Sequence, residues 1–193
     1  MTTPVDPNQV CLTGENSFIR LAQEAGGEQT TRTSHWRILW SPGGAGHVLF
    51  LKSTDLERDP VRVYSDNIAM TRYLQDEIES MLFPEFADPN LPVIPAEFSR
   101  SGGIESAYNE IVAASTETVV LSWHDFLTPF VLNNPAGPES GRTHGVYSCF
   151  FPARSAQITV GDRALSGVVS LEARGPAQSS TACIAWSETW VKP

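Results

Sequence analysis

The chain reads as a mainly β protein: an antiparallel β-barrel or two-sheet sandwich of about 8–10 strands, with one packed amphipathic helix and a short N-terminal helix. Three observations predict this. Runs alternating with period two recur along the 193 residues, turns rich in Gly, Pro and Asn separate them, and a helical period is sustained only once. A single domain over residues 1–193 is expected from the length, which is long for one average domain and short for two.

The elements follow in chain order. Residues 1–15, with Pro4 and Pro7, read as an extended arm. Asn16 then caps a short helix, Ser17 to Ala25, with Phe18, Leu21, Ala22 and Ala25 at helical spacing and Gly26-Gly27 to end it. From Thr30 to Trp40 the period is two, with Trp36, Ile38 and Trp40 on one face and His35, Arg37 and Leu39 on the other. Pro42 to Gly46 is a turn and His47 to Ser53 the returning strand. That register sets His47 near Ser41 and His35 opposite Lys52 or Ser53, ~20 Å apart at the usual strand rise.

Val61 to Tyr64 is a third strand. Asp66 or Asn67 caps the main helix, Ile68 to Leu82, whose apolar stripe is Ile68, Leu74, Ile78, Met81 and Leu82, with Asp76, Glu77 and Glu79 facing water. Residues 83–95 carry Pro84, Pro89, Pro92 and Pro95 and read as an extended crossing segment. Tyr108 to Ala114 and Thr118 to Asp125 form a hairpin. A long loop follows over 126–143, rich in Pro, Gly and Asn from Thr128 to Arg142. Gly145 to Phe151, Ala156 to Val160, Ala164 to Val169 and Ala182 to Val191 complete the strands, with a tight turn at Gly161-Asp162.

Charge narrows the function classes. Thirteen Lys and Arg against 22 Asp and Glu give a net charge of −9, and no basic run exists, so nucleic acid and anionic membrane surfaces are not expected partners. No apolar run approaches membrane-helix length. The opening Met-Thr-Thr-Pro-Val-Asp-Pro lacks a positive region followed by an apolar stretch, so no secretory signal is expected. Cys11, Cys149 and Cys183 lie far apart with no Cys-x-x-Cys pair, consistent with three free thiols and a cytoplasmic location.

The sharpest chemical signal is Glu188. Alternation over Thr181 to Val191 puts it on the face of Ile184, Trp186 and Trp190, where desolvation raises a carboxyl pKa as acid/base catalysis requires. His124 and His144 flank the long loop and meet at one mouth of the barrel if their strands pair, beside Asp125, with Tyr108 near His124. Adjacent strand residues face opposite ways, so His124 and Asp125 share a cavity only if the strand ends or bulges between them. Trp36, Trp123, Trp186, Trp190, Tyr108, Tyr147 and Arg37 are the candidate substrate-binding residues, either as core filling or as an aromatic wall for a flat or cyclic ligand.

No nucleophile elbow, phosphate-binding loop or dinucleotide fingerprint occurs: Gly43-Gly-Ala-Gly46 leads into a strand, not a helix. No metal and no cofactor is expected, since His-x-His and His-x3-His pairs are absent. The expected function is cofactor-independent acid/base chemistry on a small organic molecule: hydration, dehydration, isomerisation or cyclisation, by a lyase or isomerase. Glu188 or Asp125 would act with His124 or His144 as counterpart. The alternatives are a non-catalytic ligand-binding module, alone, as a homo-oligomer or as an accessory subunit, and then a cupin-like metal-dependent enzyme.

Overall fold

The computed structural model describes residues 9–192, where the alternating runs close into a nine-strand barrel. The strands are β1 (Val10–Ala22), β2 (Gln29–Trp40), β3 (Gly46–Ser53), β4 (Val61–Ser65), β5 (Val93–Gly102), β6 (Ala107–Ala114), β7 (Thr118–Phe126), β8 (Phe130–Asn134), β9 (Gly145–Val160), β10 (Arg163–Ala164), β11 (Leu171–Arg174), β12 (Ala177–Ser180) and β13 (Ala182–Val191). The ring runs β9-β13-β1-β2-β3-β4-β5-β6-β7 and returns to β9 through pairs from Val119↔Val160 to Phe126↔Ala153. Every ring pair is antiparallel except β4 and β5, so the barrel is mixed. Parallel neighbours need a crossover connection. The helix α1, residues 68–82, supplies it, capped by Asn67, whose side chain accepts from the Met70 amide at 3.1 Å.

Several strands bury both faces. Inside the barrel, Ile19, Leu21, Leu49, Leu51, Tyr64, Val112, Leu121, Trp123 and Ile184 form one core. Outside it, Leu12, Trp36, Ile38, Val48, Phe50 and Trp190 pack on Met70, Leu74 and Ile78 of α1 and on Phe86. A third cluster joins Leu132 of β8 to Phe150, Cys183 and Ala185. Two-sided burial removes the polar half of a strand's alternation, which explains the first correction. The expected helix from Ser17 to Ala25 is instead the second half of β1, through Ala22, bonded to β2 on one side and β13 on the other, followed by the turn into β2. Ile19 and Leu21 point inward while Phe18 packs outside, a mixture that imitates helical spacing. Within the expected extended arm, residues 10–15 belong to β1, and residues 1–8 lie outside the described residues.

Three further corrections come from shifts of phase. In α1 the segment Gln75–Glu79 is π-helical. Gln75 and Glu79 turn into the protein, while Ile68, Met81 and Leu82 of the expected apolar stripe are 60%, 48% and 42% exposed. In the first hairpin the last pair before the turn is Ile38 with Gly46, so Arg37 faces His47 and His35 faces Leu49. The two imidazoles therefore enter the barrel together, with centroids 5.7 and 5.2 Å from the Phe98 ring, rather than at opposite ends of the hairpin. In β13, Ser187 takes a left-handed φ of 54° and bulges out of register. Ile184 and Trp186 stay with the inner core, but Glu188 and Trp190 are thrown to the outer face.

Pairing also rewrites several loops. The Pro-rich segment contains the 3-10 turn Pro84–Phe86 and opens β5, whose Pro95 sits at the short parallel edge. The long loop contains β8, and the expected strand Ala164 to Val169 reduces to β10 and a bridge from Val168 to Ala22. The hairpin β11–β12 has no counterpart among the expected elements. All three cysteines are free thiols, and no helix among the described residues is long and apolar enough to cross a membrane.

Gly14 is the tight point between β13 and β2, paired with Glu188 on one side and Ile38 on the other. A β-carbon there would lie 2.3 Å from the Arg37 carbonyl oxygen. Gly14→Ala should lower stability by about 1–3 kcal/mol, read from the midpoint of a denaturant titration. An unchanged midpoint would mean that the strands part freely at this position.

Candidate acid/base site

A cavity of about 330 Å³ lies against the outer face of β1, β2, β13 and the first half of β9. The end of α1, β8 and the β11–β12 hairpin wall it in, and Glu188 and Trp190 reach it from β13. Glu188 is only 3% exposed, and the Trp190 indole donates to its Oε1 at 2.7 Å. Burial dominates its electrostatics and pushes the carboxyl up to about 7; hydrogen bonds from Trp190 and Ser148 oppose the rise, and the nearby Glu79 charge adds to it.

Glu79 forms a second, matching arrangement. The π-helical turn places it fully inside, where its Oε1 accepts from Ser34 Oγ and from Trp36 Nε1, each at 2.5 Å. Its Oε2 has no partner among the described residues. Burial pushes this carboxyl up to about 7, against the hydrogen bonds from Ser34 and Trp36. Asn16 donates to Ser34 Oγ at 3.2 Å, and both Asn16 and Ser34 line the cavity. The Trp36 and Trp190 rings are 6.3 Å apart, so two indole–carboxyl pairs stand side by side. One carboxyl forms cavity wall, and the other sits one hydroxyl behind it. Near neutral pH both can take up or release a proton.

The expected histidine partners are elsewhere. His144 is buried beside Trp190, but its Nε2 lies 2.8 Å from Glu77 Oε1 and its Nδ1 3.1 Å from Thr143 Oγ1. His124 is on the outer face of β7, opposite Ala107 and Ser155. β7 pairs with the second half of β9, whereas His144 precedes its first residue, so most of β9 separates the two imidazoles. Asp125 is exposed, with a φ of 55°, and accepts from the Ser155 hydroxyl at 3.5 Å rather than entering a cavity.

The aromatic set divides between the faces of the sheet. Trp36 and Trp190 are outside. Trp123, Trp186 and Tyr108 are inside, where the Trp123 indole donates to the Phe18 carbonyl at 3.2 Å. Tyr147 is half-buried on β9 opposite Thr189 and Asn133, and Arg37 is half-buried opposite Glu15 and His47. The barrel interior has polar chemistry of its own. Tyr108 donates to Glu110 at 2.6 Å, and Arg100 reaches Glu15 at 3.1 Å. Burial pushes Glu110 up to about 7 and His35 down to about 3, and neither ring nitrogen of His35 has a partner among the described residues.

Sequence reasoning missed Glu79, Glu110, Ser34 and Arg20. Glu110 had a readable signal, since alternation places it with Tyr108 and Val112 as it placed Glu188 with Trp190. Glu79 had none, because an ordinary helical period points it outward. Among the described residues no group of three or more His, Cys, Asp or Glu is arranged to hold a metal ion. Comparison with protein-family models, with curated proteins and with solved structures returns no match.

Proposed function

We propose that the chain is a small-molecule enzyme performing acid/base chemistry in the outer cavity, with Glu188 as the group that exchanges a proton with substrate. The single observation that carries this reading is a buried carboxyl near pKa 7 forming part of a cavity wall. A general acid or base is most effective when its pKa lies near the working pH, and such a group contributes about 10²–10⁴ in rate. Trp190 orients the carboxyl, and Glu79 takes the counterpart role in place of a histidine, exchanging protons through the Ser34 hydroxyl. Hydration, dehydration, isomerisation and cyclisation all need this pair of functions on a small organic substrate. The competing reading, a binding module without turnover, uses the same cavity but has no need for a titrating carboxyl.

Infrared difference spectroscopy across pH 5 to 9 distinguishes them. The protonated-carboxyl band should disappear with a midpoint near 7 in the native chain, and Glu188→Gln should remove one component of that change. A Glu188 that titrates in the ordinary carboxylate range would remove the proton carrier and leave the binding module.

A further inference from the structure

We infer that the outer cavity takes an organic anion: a flat, apolar body carrying a carboxylate or phosphate group that seats on Arg20. The inference rests on the acid/base reading only for the location of the site.

Arg20 stands directly across from Arg32 in the β1–β2 pairing. Like charges so placed repel and are ordinarily neutralised. Arg32 is neutralised: it meets Glu85 at 2.7 Å and Gln29 through two hydrogen bonds. Arg20 is not. Among the described residues its guanidinium makes no hydrogen bond and no ion pair, and its Nε is buried without a partner. The guanidinium carbon instead lies 4.6 Å from the Phe18 ring centroid and 5.4 Å from that of Phe83. Stacking of this kind satisfies the faces of the guanidinium plane and leaves its donor edge, which fits a carboxylate or phosphate in two parallel hydrogen bonds.

The surroundings agree. Arg142 and Arg174 also line the cavity, with Arg174 lying 5.7 Å over the Phe150 ring. Glu172 is the one carboxylate of the lining besides Glu188, and burial keeps Glu188 and the nearby Glu79 substantially protonated up to neutral pH. Three guanidiniums thus converge on one cavity of a chain whose net charge is −9. Phe18, Phe83, Phe150 and Trp190 supply the apolar wall on which the body of the ligand would lie.

Binding of phenylacetate, phenyl phosphate and neutral phenylacetamide, followed by calorimetry and by the shift in thermal midpoint, tests the assignment. At least one anion should bind about tenfold or more tightly than the amide and raise the midpoint where the amide does not. Whichever anion is tighter names the group. Arg20→Met should reduce the anion to the level of the amide, and Arg20→Lys should keep part of the preference. Equal binding of amide and anions, absence of binding by both anions, or a preference that survives Arg20→Met would overturn the inference. Those results would leave a Glu188 titration near 7 untouched, so the failure of one reading is distinct from that of the other. Should Arg20→Met fail to fold, the anion-specific midpoint shift in the native chain still decides.

Discussion

Raising the pH from about 4.5 to about 7 should cost the folded protein roughly 6 kcal/mol, and Gln at both 79 and 188 should remove most of that loss. The sign follows from which state holds the proton. Glu79, Glu110 and Glu188 are each raised by burial from 4.5 to about 7. Between those values the native state keeps protons that the unfolded chain has released, so the unfolded state binds fewer and stability falls as pH rises. Below 4.5 and above about 7 these groups contribute no slope. At ~1.4 kcal/mol per pKa unit, one such carboxyl accounts for roughly 3 kcal/mol. His35 acts in the opposite direction, because burial lowers it from 6.5 to about 3, so stability is gained as pH rises across that range. It offsets about one carboxyl over most of the interval, leaving two. The effect is large against the ~5–15 kcal/mol that typically holds a domain together. Denaturant titrations at pH 5, 6, 7 and 8 check it. The doubly substituted protein should resemble the native one at pH 5 and exceed it at pH 8. A flat native profile would mean that these carboxyls ionise at their ordinary pKa.

The same groups tie stability to the proposed chemistry. A carboxyl poised near 7 is useful because water is excluded from it, and that exclusion destabilises the fold when the carboxyl ionises. Trp36 and Trp190 limit the cost by donating to Glu79 and Glu188, but each supplies one donor to a group with two oxygens. Among the described residues the Oε2 of Glu79 has no partner, which shows the shortfall directly. An anion on Arg20 would place another negative charge close to these carboxyls and raise their proton affinity further. Substrate and proton would then bind cooperatively.

What the sequence revealed divides along a physical line. Strand β13 and the helix over 68–82 were legible to the residue, because an unbroken period and a clear cap mark them. A barrel or two-sheet sandwich was legible from the number of short alternating runs, but closure into a barrel with one parallel pair was not. Elements buried on two faces were not, and β1 took on a helical pattern for that reason. β5 and β8 were hidden by Pro95 and by the polar turn residues beside them. The site was half legible. Composition around Glu188 revealed its apolar setting and raised pKa, but not the face it occupies. An ordinary helical period points Glu79 to solvent, because nothing in it announces a π-helical turn. Glu188 reaches the cavity, and Glu79 its place behind the wall, through a one-residue change of phase, and such changes are set by tertiary packing, which can hold a strained backbone in place.

Replacing Ser187 by Val should lower the stability of the fold by about 1–3 kcal/mol. The left-handed φ of 54° at position 187 absorbs the extra residue that lets Trp186 face inward while Glu188 and Trp190 face outward. With that residue kept and the bulge straightened, strict alternation would carry Glu188 and Trp190 to the opposite face. Trp190, now 7% exposed in the outer core beside Trp36 and Leu12, would leave a cavity there; emptying such a position costs about 3–5 kcal/mol. Glu188 would lose the pocket in which it resides, and the pairing of Gly14, where no extra atom fits, would change. The bulge is therefore kept, and a β-branched side chain within it meets a backbone conformation that such residues rarely adopt. Ser187→Gly is the matched control. Glycine adopts a positive φ without a β-carbon penalty, so this variant should keep the bulge and melt at or above the native temperature. Thermal melts of the two variants should thus diverge, Ser187→Val below the native temperature and Ser187→Gly at or above it. Equal melting of the two would show that the left-handed φ does not constrain position 187, and the placement of Glu188 against the outer cavity would then not be fixed by the bulge.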